Sequence, residues 1–332
     1  MSDIYRSFIT NRFKTNNLIN FRNSIGDADD ETTIYISFGR QEPWADNEND
    51  VNFAPPYPSE TPEGYLDVWN RLIGAAKIKQ SDLDAVIARK DWGDIRVDDP
   101  FRFYIGDIIC TNTIANVNTT ERGEGIIVYR CVDVPDEGEC SITEITDKNE
   151  CMKLGGTWNA QQSAGTNANI PRGQGDAIDT GDGYKWEYLY TIPPDAVINR
   201  VTQEYIVVPF PDEEKNNPDD WRLNNVIQWN DERTDLIYRT KCSTLRFKAY
   251  LDSIDFPEFS KPGNTGFRQL NVIINPLENK NQPDDPDVKA TKEIYLSDEL
   301  EHSSGEIIYM ENRRPIIRSF DQVEEINIIF QF

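Results

Sequence analysis

Strict alternation of apolar and polar side chains recurs along this chain, and it is the feature that most limits what the chain can fold into. Successive side chains of a strand point to opposite faces, so alternation marks a strand with one face towards a core. In "TIYISF", Ile34, Ile36 and Phe38 share a face. In "YKWEYLYTI", Trp186, Tyr188, Tyr190 and Ile192 oppose Lys185, Glu187 and Thr191. "TLRFKAYL" sets Leu245, Phe247, Ala249 and Leu251 against Thr244, Arg246, Lys248 and Tyr250, and the terminal "INIIFQF" aligns Ile326, Ile328, Phe330 and Phe332. "FRFYIGDIIC", "GIIVYRCVDV", "EYIVVPF", "RQLNVII" and "GEIIYM" add further strands, separated by clusters of Pro, Gly, Asn and Asp. Eight or nine strands in this arrangement predict a mainly β fold, a layered antiparallel β-sandwich, over a parallel sheet with helical crossovers.

A few short α-helices are expected on excursion loops. Thr61 can cap, Pro62 suits a first turn, and Tyr65, Trp69, Leu72 and Ala76 follow at helical spacing. Ser81 with Asp84 resembles a capping box for a short helix over "DLDAVI". Asp147 with Glu150 opens another helix, which Gly155 ends. The helical excursions therefore fall at about 61–90 and 140–156. Residues 159–176 read as a mobile loop, and acidic, proline-containing connections cover 211–220 and 281–287. None is long enough for a domain linker, so residues 1–332 are expected to form a single compact β-sandwich domain.

Composition narrows function. The 332 residues hold 58 Asp and Glu against 34 Lys and Arg, a net charge of −24. A phosphate backbone is repelled by such a surface, so nucleic acid is a poor partner. No apolar run approaches the length of a membrane span, and "MSDIYRSFIT" lacks a secretory pattern, which argues against membrane insertion and for a protein that stays in the cytoplasm or is assembled from there. Five cysteines, an odd number without a CxxC, are expected to be buried reduced thiols, Cys140 and Cys151 included.

Catalytic patterns are missing. The single histidine, His302 in "LEHSSG", reads as a surface residue, and no nucleophile elbow accompanies it. "GEGIIV", "GQGDAI" and "GDGYKW" begin like phosphate loops and lack the later glycine. The acidic loop from Asp27 has Thr32 where a calcium loop needs Gly and Phe38 where it needs Glu. No catalytic residue, cofactor or metal is expected. An alternative reading is a carbohydrate-binding or glycan-cleaving β-sandwich, since aromatics and acids are plentiful, although no pair of carboxylates stands out.

One stretch stands apart: "FGRQEPWADNENDVNFAPPYPSE", residues 38–60. Pro43, Pro55, Pro56 and Pro58 stiffen it, Trp44, Phe53 and Tyr57 supply apolar area, and Arg40 can clasp a carboxylate. Such a segment loses little entropy on docking. It either straps its own fold or reaches a neighbouring subunit.

The same stretch, with "NFRNSIG", "LDAVIARKDWGD", "YRCVDVPD", "CSITEITDKNECMKLGGTW", "GDGYKWEYLYTIPPD", "QEYIVVP", "RFKAYLDS", "PGNTGFRQ", "INPLE", "SGEIIYMENRRPII" and "EEINIIFQF", resembles in order and spacing the gene product eight family of baseplate wedge subunits of T4-like contractile-tail phages. The resemblance spans nearly the whole chain and lapses near 112–124, 159–176 and 212–230. It implies a virion structural protein of the tail baseplate, assembled in the host cytoplasm. It also implies layered β-sandwiches with helices on loops, a homodimer, and contacts with other wedge subunits. It strengthens the inter-subunit reading of residues 38–60. By residue type, Arg40, Trp44, Phe53, Tyr57, Trp69 and Trp92 are the candidate interface residues.

Overall fold

A computed structural model describes residues 8–26, 31–92, 103–114, 122–160, 169–194, 197–210, 228–229, 235–251, 266–279, 292–317 and 324–332. Residues 27–30 of the acidic loop, 161–168 within the 159–176 stretch, and the connections at 211–220 and 281–287 lie outside the described residues. In chain order the elements are α1 (Asn11–Asn23), β1 (Ile34–Gly39), α2 (Pro62–Asn70), β2 (Leu72–Ile78), a 3-10 turn (Gln80–Asp82), β3 (Leu83–Ala88), β4 (Ile108–Ile114) and β5 (Arg122–Asp133). Then come β6 (Gly138–Cys140), α3 (Lys148–Lys153), β7 (Trp158–Ala160), β8 (Ile178–Asp179), β9 (Lys185–Ile192), α4 (Val197–Arg200), β10 (Tyr205–Val208) and β11 (Gln228–Trp229). The chain closes with α5 (Leu236–Arg239), β12 (Thr244–Leu251), β13 (Gly266–Ile274), β14 (Ile294–Leu296), β15 (Glu306–Ile317) and β16 (Glu324–Gln331). The protein is mainly β with several antiparallel sheets and short helices, as the alternation predicts.

The chain divides into two compact units, residues 1–15, 85–244 and 332 forming one, and 16–84 and 245–331 the other. In the first, β11, β9, β5 and β4 are hydrogen-bonded in that order, with β8 also paired to β9. β3 pairs with β10 from Tyr205↔Ala88 to Val208↔Ala85. The core of this unit is aromatic. Phe103 lies 4.9 Å from the Trp186 ring and 5.5 Å from that of Trp92, which stacks on it at 15°.

In the second unit a five-stranded sheet runs β14-β2-β1-β13-β15. The six residues of β1 are all buried, so its polar positions face packing too. Ser37, for example, accepts a hydrogen bond from Asn271 Nδ2 on β13 at 3.2 Å. Tyr35 and Tyr295 meet edge to face at 5.3 Å over a core that includes Trp69, Leu72, Ala75, Ile273 and Leu300.

Four expectations are corrected. The helix opened by Thr61, whose hydroxyl accepts from Gly64 N, stops at Asn70; Leu72 and Ala76 lie instead in β2. "LIGAAKI" is an apolar run without clear period, and Gly74 disfavours helix, so sheet pairing decides. "DLDAVI" is likewise not a helix. Asp82 caps a single 3-10 turn by accepting from Lys79 N at 2.8 Å, and β3 follows. As a strand residue, Asp84 reaches the buried Arg246 and, at 3.0 Å, Lys248. In "FRFYIGDIIC" the described residues from Phe103 form a strand only from Ile108, because Gly106 turns the chain at φ +95°.

The fourth correction concerns sulfur. Cys140 and Cys151 form a disulfide, with their Cα atoms 5.8 Å apart. Asp147 caps α3 by accepting from Glu150 N at 2.8 Å, and Gly155 follows the helix as expected. That folded-back helix brings Cys151 to the end of the β6–β7 hairpin, a juxtaposition that spacing alone does not reveal. Cys110, Cys131 and Cys242 are buried free thiols, as expected, and burial pushes each up to about 12.

Finally, α1 had no signal in the alternation. Its inward positions, Thr15, Leu18 and Arg22, recur at helical spacing, but two of the three are polar.

Candidate subunit interface

β1 ends where the backbone of Arg40 adopts φ +58°, a left-handed conformation that is uncommon for a side-chain-bearing residue. Arg40 N still donates to Arg71 O at 2.9 Å, so the turn is anchored at the start of β2. The turn sends residues 41–60 across the β13 and β15 side of the same unit.

Three sets of contacts hold this strap. Arg40 lies over the Trp44 ring, 4.0 Å from its centroid, and 3.8 Å from Asp67 of α2. Burial lowers the Arg40 pKa, and the neighbouring Arg71 adds to the effect. Arg71 bridges Asp67 and Glu42, each at 2.6 Å; its hydrogen bond to Asp67 raises its own pKa.

Deeper in, Arg268 of β13 grips the strap. Its Nε donates to Glu48 Oε2 at 2.8 Å, Nη2 to Glu48 Oε1, and Nη1 to the Gln41 carbonyl. Both side chains are nearly closed to solvent. The Arg268 hydrogen bonds hold the Glu48 carboxyl below the usual carboxylate range, outweighing burial, and the Trp44 N–H adds to them at 3.1 Å.

The outer part of the strap rests on β15. Trp44 Nε1 donates to Arg313 O at 2.9 Å, and Asn312 Nδ2 donates to Pro56 O at 2.9 Å. Arg314 donates to the carbonyls of Val51 and Phe53 at 2.7 and 3.1 Å. Residues 53–60 form no helix or strand, in keeping with their prolines.

The candidate residues thus separate. Arg40 and Trp44 stack together and Phe53 is half-buried further along the strap, while Tyr57 is 97% exposed. Trp69 packs into the core of the same unit. Trp92 belongs to the aromatic core of the other unit. Sequence reasoning passed over Asp67, Arg71, Arg268 and Glu48. A signal existed for one of them: Arg268 is the one charge in the strand "GFRQLNVII", and a charge on a buried strand needs a partner.

Beside α2 lies an open cavity of about 460 Å³, walled by Tyr65, Leu66, Trp69 and Ile307 with Glu306 at its margin. Its floor turn carries His302, exposed, with Nε2 3.1 Å from Asn70 Oδ1 and Nδ1 2.9 Å from Ser303 Oγ. Gly305 in that turn has φ +69°, and an added Cβ would fall 2.5 Å from the Ile274 carbonyl. Among the described residues, no three His, Cys, Asp or Glu side chains converge to hold a metal, and no helix is long and apolar enough to cross a membrane.

Comparison with known proteins identifies the fold's lineage. The family model described as Bacteriophage T4, Gp8 matches residues 7–332. The chain belongs to the phage Gp8 family. Within it, the baseplate wedge protein gp8 of Enterobacteria phage T4 is 54% identical over 334 residues, which take in 100% of this chain and 99% of that protein. Membership of the Gp8 family therefore covers both compact units, the strap and the cavity together.

Proposed function

We propose that the chain is a virion structural protein, a baseplate wedge subunit of a contractile phage tail that assembles as a homodimer and connects neighbouring wedge proteins. One observation carries the reading: 54% identity, end to end, to a baseplate wedge protein. The role is structural rather than catalytic, and the site of action is the tail baseplate, reached by assembly in the host cytoplasm. The strap supports a place for subunit contacts. Its base is locked by Arg268 and Arg71, while Tyr57 and Val51 remain exposed on a stiffened tip. A pre-ordered tip loses little entropy when a partner covers it. Trp69 and Trp92 act from within, by fixing the two cores. The glycan-binding alternative has less behind it, since Trp69, Trp92, Trp158 and Trp186 are buried and Trp44 is half-buried.

Sedimentation velocity on the purified protein, alone and mixed with the other wedge subunits of the same phage, tests the reading. A dimer that shifts into a larger stoichiometric species is expected. A monomer indifferent to every wedge subunit would overturn it.

A further inference from the structure

Two surface features are both apolar and are opposite in charge. The first is the segment leading into α1. Within six residues Phe8, Ile9 and Phe13 are 86, 63 and 56% exposed. Thr10 holds the segment in shape, since its carbonyl accepts from Lys14 N at 3.2 Å and its hydroxyl from Phe13 N at 3.3 Å. Residues 4–26 contain no Asp or Glu and carry Arg6, Arg12, Lys14 and Arg22, in a chain whose net charge is −24.

The second feature is the cavity beside α2, an apolar recess walled by Tyr65, Leu66, Trp69 and Ile307. Its surroundings are acidic. Glu306 lines it, and burial together with the carboxylates of Glu60 and Glu306 raises the Tyr65 pKa.

We propose that residues 8–13 of one copy dock into this cavity of a second copy, Phe8 or Phe13 filling the recess and Arg12 and Lys14 facing Glu60 and Glu306. The inference rests on the homodimer reading and deepens it. Two chains of charge −24 repel each other, so a self-contact has to be made where the sign is locally reversed, and this acid-free segment supplies that reversal. In a two-fold dimer the contact is made twice. A buried aromatic side chain contributes ~150–250 Å². Two Phe and one Ile from each copy, with the cavity walls they cover, then approach the roughly 1,600 Å² of an ordinary stable interface.

The test is sedimentation equilibrium of the full chain with Arg12→Glu and Glu306→Arg. Both positions are exposed, and circular dichroism checks that each variant keeps its fold. Each variant alone sets like charges against each other in both contacts, and its dimer is expected to weaken more than tenfold. Mixed in equal amounts, the two variants form a heterodimer in which every contact is again opposite in sign, so dimerisation returns. Variants that dimerise like the wild type, or a mixture that stays apart, would overturn the proposal while leaving the homodimer intact. A wild-type protein that is monomeric at every concentration would instead remove the homodimer reading itself. Phe8→Ser with Phe13→Ser provides a second measure, with the same loss of dimer expected and no rescue on mixing with Arg12→Glu, because neither contact of that heterodimer is restored.

Discussion

The grip of Arg268 on Glu48 makes a quantitative prediction. Arg268→Met keeps most of the side-chain stem and removes the guanidinium, leaving the Glu48 carboxylate in a site almost closed to water with only the Trp44 N–H as donor. Removing one partner of a buried ion pair costs about 3–5 kcal/mol, because the other charge stays desolvated. The strap has an escape: it can lift and let Glu48 reach solvent. The expected result is therefore local opening rather than global unfolding, made easier by about 3 kcal/mol, or more than a hundredfold in the opening equilibrium. Hydrogen exchange read by mass spectrometry over residues 41–60 reports it, through amides such as Trp44 and Glu48 that are hydrogen-bonded in the docked strap. Peptides from the first compact unit serve as the internal control. Adding Glu48→Met removes the stranded charge, and the double variant is expected to return to within roughly 1 kcal/mol of the wild type. If Arg268→Met exchanged within about threefold of the wild type, the pair would contribute nothing, and the account of how the strap is held would be wrong.

Three further outcomes follow from the same geometry. Glu48 has a folded pKa below its unfolded value of about 4.3, so the unfolded chain binds the proton more tightly; the strap's stabilisation is present above that pH and is lost as pH falls through the lower, folded value. Urea unfolding between pH 3 and 6 should show this acid loss in the wild type and much less of it in Arg268→Met. Gly305→Ala combines a left-handed backbone with a Cβ pressed on the Ile274 carbonyl, and is expected to cost about 1–3 kcal/mol in urea unfolding, whereas Gly155→Ala, with open space around it, costs less. Thiol titration in denaturant without reductant should find three thiols, Cys110, Cys131 and Cys242, and five after reduction; in the native protein all three resist alkylation at pH 8, since burial pushes them up to about 12.

The strands were legible wherever one face was apolar and the other polar, as in β9 and β12. The elements that sequence misplaced are those whose fate depends on a distant partner. β2 has both helical and strand readings, and pairing with β1 and β14 chooses between them. β3 resembles a capped helix until Asp84 finds Arg246, 162 residues away. The disulfide needs α3 to fold back, and the strap's anchors at 268 and 312–314 lie more than 200 residues from the loop they hold. Trp44, Phe53 and Tyr57 were singled out by residue type, but type does not separate the ring used to dock the strap from the ring left exposed at its tip. That difference arises from Arg313 O accepting from Trp44 and from nothing comparable at Tyr57.

The strap also limits what can pair with the sheet of this unit. The five-stranded sheet has two rims. On one side β14 is three residues long, too short to template another strand usefully. On the other, β15 is twelve residues long, and an open rim of that length would invite any extended chain to pair with its backbone regardless of sequence. The strap is bound to that strand at residues 312–314, with Trp44 already bonded to the Arg313 carbonyl. Strand addition, which reads mostly main chain, is thereby closed off along that stretch. Any chain that approached there would meet side chains instead, and side chains, unlike main chain, distinguish one sequence from another.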